Sequence, residues 1–87
     1  MEKYLIYGRA NCPYCIKVVN KLIRAGKTIY AEMLDDSPEK LQKLKMKYDH
    51  PTIPIVILKN DKEELIGGCD DTIEYLSREV LNDTSKT

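Results

Sequence analysis

The chain has 87 residues, and its 14 lysines and arginines balance 14 aspartates and glutamates. That length suits one domain with a modest core, and 43% hydrophobic and 32% charged residues are ordinary for a soluble globular fold. The zero charge balance argues against a nucleic-acid or membrane-surface partner, because both favour a basic excess.

No apolar run approaches the ~18 residues of a membrane span. The polar start Met1-Glu2-Lys3-Tyr4 leads straight into a strand-like run instead of the apolar stretch of a signal peptide, so the cytoplasm is the expected compartment. Three cysteines, two of them three positions apart, do not resemble a secreted disulfide framework.

Tyr4 to Tyr7 is a short apolar run of strand type, closed by Gly8. Ile16, Val19, Leu22 and Ile23 then recur as a helical stripe, with Pro13 suited to the first turn and Gly26 to the stop. Thr28 to Leu34 reads as a second strand. Ser37 and Pro38 look like an N-cap and a first helical residue, and Leu41, Leu44 and Tyr48 form one apolar helical face. Ile55 to Leu58 is a continuous β-rich run, expected as a buried central strand.

Asn60 to Lys62 is a turn, and Glu64 to Ile66 should complete a hairpin. Gly67-Gly68 breaks the chain. Asp71, with Glu74 three residues later, looks like a helix start, and Ile73, Leu76 and Val80 are its core side. Asn82 to Thr87 is polar and expected to fray. The order β-α-β-α-β-β-α implies a parallel pair followed by an antiparallel pair. The fold class is therefore α/β, a four-stranded mixed sheet flanked by three helices, in one domain spanning 1–87.

Cys12-Pro13-Tyr14-Cys15 lies between the first strand and the first helix. Cysteines at this spacing in a first helical turn can approach closely enough for a disulfide. Cys12 lies where unpaired N–H groups and the helix dipole favour an anion, so its pKa should fall, while Cys15, one turn inside, should be less acidic. A structural metal site would need a second ligand pair, and only Cys69 and His50 remain. A pKa lowered from about 8.5 to about 5 raises the thiolate fraction at pH 7 roughly 30-fold. With a Brønsted slope of about 0.45, intrinsic nucleophilicity falls roughly 40-fold, so the benefit lies in Cys12 as a leaving group.

Tyr7-Gly8-Arg9-Ala10-Asn11 followed by Cys-Pro-Tyr-Cys resembles a dithiol glutaredoxin. Thr52-Ile53-Pro54 resembles the family's Thr-Val-Pro, and Gly67-Gly68-Cys69-Asp70-Asp71 its Gly-Gly-x-(Ser/Asp)-Asp. The resemblance implies a thioredoxin fold, a cis bond before Pro54, and glutathione as co-substrate, bound in a groove formed by the three segments without a metal. Cys12 and Cys15 are the implied catalytic pair. Arg9, Tyr14, Thr52, Ile53, Pro54, Gly68, Cys69 and Asp70 are the implied glutathione-binding residues.

Ile53 would offer backbone groups to an extended peptide. The N-terminus of the last helix would hold the γ-glutamyl carboxylate and Asp70 the ammonium. Arg9 would meet the glycyl carboxylate, and Gln42 or Lys45 could assist. Each position also has a plainer reading. Pro54 is then a strand start, Gly68 to Asp70 a helix cap, Arg9 and Lys17 solvated charges, and Cys69 a space-filler. Tyr14 either walls the groove or covers the cysteine pair, and His50 is a loop residue rather than an acid–base catalyst. Pro51 stands where the family often has a basic or polar residue.

The implied partners are glutathionylated or disulfide-containing proteins, with ribonucleotide reductase a family possibility, and the chain is expected to be a monomer. Two alternatives compete with this reading. A thioredoxin-like reductant would normally carry Trp-Cys-Gly-Pro-Cys, but the chain has no tryptophan. An iron–sulfur carrier would normally carry one active-site cysteine followed by Gly-Phe-Ser, and Pro13 and Cys15 depart from that pattern.

Overall fold

The computed structural model describes residues 2–85, with side chains placed through Glu79. The elements run β1 (Lys3–Gly8), α1 (Pro13–Arg24), β2 (Ile29–Met33), α2 (Pro38–Lys47), β3 (Ile55–Lys59), β4 (Glu63–Gly67) and α3 (Cys69–Ser85). The strands form one sheet in the order β2-β1-β3-β4. The β1–β2 pair is parallel, whereas β1–β3 and β3–β4 are antiparallel. This is the mixed sheet with three helices that the sequence predicts.

The two central strands bury both faces, which explains why they read as continuous apolar runs. On one face, Tyr4, Ile6, Val56 and Leu58 pack with Val18 and Leu22 of α1 and with Cys69 and Leu76 of α3. On the other, Leu5, Ile55 and Ile57 pack with Leu34 and with Leu41 of α2. Successive residues of a strand alternate between faces, so each central strand serves both clusters. The edge strand β2 is more exposed, and Lys40 of α2 pairs with its Glu32 at 2.6 Å. Among the described residues, no helix is long and apolar enough to cross a membrane.

The structure corrects three readings of the helices. In α1 the buried residues are Cys15, Val18 and Leu22, while Ile16 and Ile23 are 50% and 57% exposed. The helix is rotated so that Cys15 meets the sheet, and the expected stripe shared only Leu22 and half-buried Val19 with the true face. In α2, Ser37 is the N-cap and Pro38 the first helical residue, as expected, although the Ser37 side chain makes no hydrogen bond to the helix.

Helix α3 starts at Cys69, two residues before the expected Asp71. Asp71 Oδ2 instead reaches back to accept from the Gly68 N–H at 3.1 Å, the return half of a capping box. The backbone of α3 continues to Ser85, past the expected fraying point at Asn82. The expected core position of Val80 lies outside the described side chains, and Lys86 and Thr87 lie outside the described residues.

Two helix ends share one device. At the end of α1, the Lys27 N–H donates to Leu22 O and the Gly26 N–H to Ile23 O, with Gly26 at φ 73°. At the end of α2, the His50 N–H donates to Lys45 O at 2.9 Å and the Asp49 N–H to Met46 O, with Asp49 at φ 50°. Both are Schellman motifs, which need one left-handed residue. The first uses the expected glycine. The second places an aspartate there and delivers His50 to the loop before β3.

Candidate functional site

Cys12 is the N-cap residue of α1, in extended conformation, and Pro13 is the first helical residue. Proline fits there because that position has no intrahelical donor to lose. The Cys12 carbonyl accepts the first helical bond, from the Ile16 N–H, at 3.1 Å. The Cys12 Sγ accepts from the Cys15 N–H at 3.4 Å, so the sulfur serves as the helix cap. The preceding loop is held by the Ala10 N–H, which donates to Asp35 Oδ2 at 3.0 Å.

The two thiols are pushed in opposite directions. Partial burial opposes a thiolate at Cys12, but hydrogen bonds from the Cys15 thiol, from the Cys15 and Tyr14 N–H groups, and the field of Arg9 outweigh it. The result is a pKa below the ordinary thiol value. Burial pushes the Cys15 thiol up to about 12, with a further push from its hydrogen bond and charge coupling to Cys12. Cys15 has no exposed surface. It lies against the end of β1, where a methyl group on Gly8 would overlap the Cys15 sulfur.

Beside the cysteines, an open groove is lined by Tyr14, His50, Thr52, Ile53, Pro54, Gly68, Cys69, Asp70 and Asp71. It gathers seven of the eight expected binding residues from three separate segments. Tyr14, 60% exposed, forms one wall. The Ile53–Pro54 peptide is cis, as the resemblance implies. Gly68 and Asp70 bring the N-terminus of α3 to the opposite side, where the first N–H groups of a helix lack intrahelical partners.

Cys69 is buried, and burial raises its pKa. Asp70 and Cys12 add to that effect, and Lys17 opposes it. The third thiol is therefore held protonated within the field of the first.

Arg9 does not line the groove. It acts on Cys12 through its charge, and its backbone N–H bonds Cys15. Gln42 and Lys45 line a separate hollow with Met46, Asp49, His50 and Pro51. The groove also contains two residues outside the expected set, His50 and Asp71. Asp71 had a signal, its helix-start spacing, but that spacing spoke only of a cap. His50 had none, because its place depends on the left-handed turn at Asp49. Among the described residues, no group of three or more His, Cys, Asp or Glu side chains is gathered as a metal site.

A reactive thiol at a helix N-cap, a buried partner thiol one turn on, and a sheet of this topology define a thiol–disulfide oxidoreductase of the thioredoxin fold. The glutaredoxin family model matches residues 5–62, and the chain belongs to the glutaredoxin family. It is similar to a glutaredoxin of Pseudomonas aeruginosa, 35% identical over 71 residues that cover 82% of this chain and 81% of the relative. Among solved structures, it resembles the holo form of glutaredoxin C1 from Populus tremula x tremuloides, with a TM-score of 0.76 and 26% identity over 97% of this chain and 79% of that one. Wheat glutaredoxin superposes with a TM-score of 0.72 and 32% identity, covering 82% of this chain and 67% of that one.

Proposed function

We propose that this protein reduces protein–glutathione mixed disulfides, and some protein disulfides, with glutathione as reductant in a reducing cytoplasm. The observation that carries the reading is the split between the thiols: Cys12 is acidic and accessible, Cys15 fully buried and held protonated. The neighbouring groove supports it, since a cis-proline loop and a helix N-terminus suit the backbone and carboxylate of a small peptide.

In this reading the Cys12 thiolate attacks the glutathione sulfur of a mixed disulfide. A Cys12–glutathione bond forms, the original S–S bond breaks, and the protein thiolate leaves and takes up a proton. A glutathione thiolate then attacks the same glutathione sulfur. Glutathione disulfide departs and Cys12 leaves as its stabilised thiolate. A low leaving-group pKa speeds this second displacement, whereas for attack it gains little.

Cys15 takes no part in that route. It enters when Cys12 is joined to a protein. The Cys12 charge has then gone, and with it part of what holds the Cys15 proton.

The test compares two substrates. Cys12→Ser should abolish reduction of both a glutathionylated peptide and a protein disulfide. Cys15→Ser should preserve deglutathionylation, or raise it, while largely abolishing protein-disulfide reduction. Loss of both activities in Cys15→Ser would mean an obligate dithiol mechanism and overturn the proposed cycle.

A further inference from the structure

His50 lies in the groove, and the cycle above does not use it. Its position is built from both sides. The backbone N–H closes the Schellman motif on Lys45 O, and the ring Nδ1 lies 2.9 Å from Thr52 O. A carbonyl oxygen only accepts, so Nδ1 carries the hydrogen of this bond. In the neutral ring, Nε2 then presents a lone pair.

That edge of the ring rests against the start of α3. A methyl group on Gly68 would sit 3.7 Å from Cε1 and 3.8 Å from Nε2. The same end of the groove holds the carboxylates of Asp70 and Asp71. Asp71 Oδ2 is engaged by the Gly68 N–H. The acceptors beside the donor-rich helix terminus include the Asp70 carboxylate, the His50 Nε2 and the Pro54 carbonyl oxygen, which a methyl group on Gly68 would also meet at 3.8 Å. Acceptors next to N–H donors complement a ligand end that carries an ammonium and a carboxylate on one carbon.

Resting on the glutathione reading, we propose that His50 is a specificity-determining residue, whose Nε2 accepts a hydrogen bond from the α-ammonium of the γ-glutamyl group. The groove then selects ligands bearing that amine, and His50 acts on binding and not on sulfur chemistry.

The test uses one peptide carrying either a glutathionyl or a desamino-glutathionyl mixed disulfide. The readout is the ratio of kcat/KM for the two substrates in the wild type, His50→Asn and His50→Gln. Asparagine places a donor near Nδ1 and nothing at Nε2, whereas glutamine places a polar atom near Nε2. Hydrogen bonds to charged groups are the stronger class. The wild type should therefore favour the glutathionyl substrate about 10-fold or more, through KM. His50→Asn should lose most of that preference, and His50→Gln should keep it.

A wild-type preference retained in His50→Asn overturns the proposal. So does an equal fall on both substrates in His50→Asn and His50→Gln, which marks His50 as a loop brace only. Failure of the wild type to process either substrate overturns the glutathione reading itself, and this proposal with it.

Discussion

A thiolate at Cys12 is maintained by what its neighbours keep. The Cys15 thiol retains its proton because it is buried, and that proton is available to hydrogen-bond the Cys12 sulfur. The rate of Cys12 alkylation by iodoacetamide should therefore titrate with a midpoint below the free-thiol value of about 8.5. In Cys15→Ala, which removes the donor thiol, the midpoint should move up. An unchanged midpoint would contradict the assigned cause.

Gly8 has a packing role that its place in the motif does not explain, since any side chain there meets the Cys15 sulfur. Gly8→Ala should destabilise the protein by about 1–3 kcal/mol in urea unfolding, the usual cost of overpacking. Most of that loss should vanish in the Cys15→Ala background, which removes the obstructing atom. Additive losses would mean that the strain lies elsewhere. Cys-Pro-Tyr-Cys was legible because helix capping and proline placement are local. The packing role of Gly8 was not, because its partner lies on the next element.

At the scale of elements, helix ends decide where the groove residues stand. The stop of α1 was legible as Gly26, but the stop of α2 carries no glycine. Asp49 takes the left-handed conformation there at φ 50°. Asp49→Gly should raise stability by about 0.5–1 kcal/mol, because glycine adopts that conformation without a Cβ penalty. A chemical-denaturation midpoint that stays put or falls would show that the aspartate side chain makes an offsetting contact.

The β4–α3 junction is similar. A register shift opposite Val56 and Ile57, with Gly67 at φ 127°, turns the chain so that α3 begins at Cys69. Spacing alone suggested Asp71, since an acidic residue at the third helical position resembles an N-cap in sequence.

For the whole molecule, the buried thiol couples stability to pH. Cys15 has its pKa raised on folding, so its contribution is complete below the unfolded value of about 8.5 and is lost as pH rises towards about 12. Cys12 works in the opposite sense. Its lowered pKa adds stability that is present above about 8.5 and lost as pH falls through the folded value. Stability should therefore rise towards pH ~8.5 and decline above it, with Cys15 giving a slope of at most ~1.4 kcal/mol per pH unit. Burial also raises the pKa of Tyr4, which extends the decline beyond pH ~10. Urea unfolding from pH 8.5 to 10 should show a shallower fall in Cys15→Ala than in the wild type. Parallel lines would place the alkaline sensitivity in other groups.

The sequence by itself determined the order of elements, the buried central strand at Ile55 to Leu58 and the position of the reactive cysteine. Each depends on interactions within a few residues or on the period of an apolar run. Only the tertiary structure decided which face of α1 is buried, because Ile16 and Ile23 are as apolar as Val18, and packing of Cys15 against the sheet sets the rotation. It alone put His50 into the groove that the resemblance implied for Tyr14, Pro54 and Gly68. Those placements depend on strand order, on a left-handed aspartate and on a bulge before α3. Their causes lie in contacts between elements distant in the chain, which no local pattern encodes.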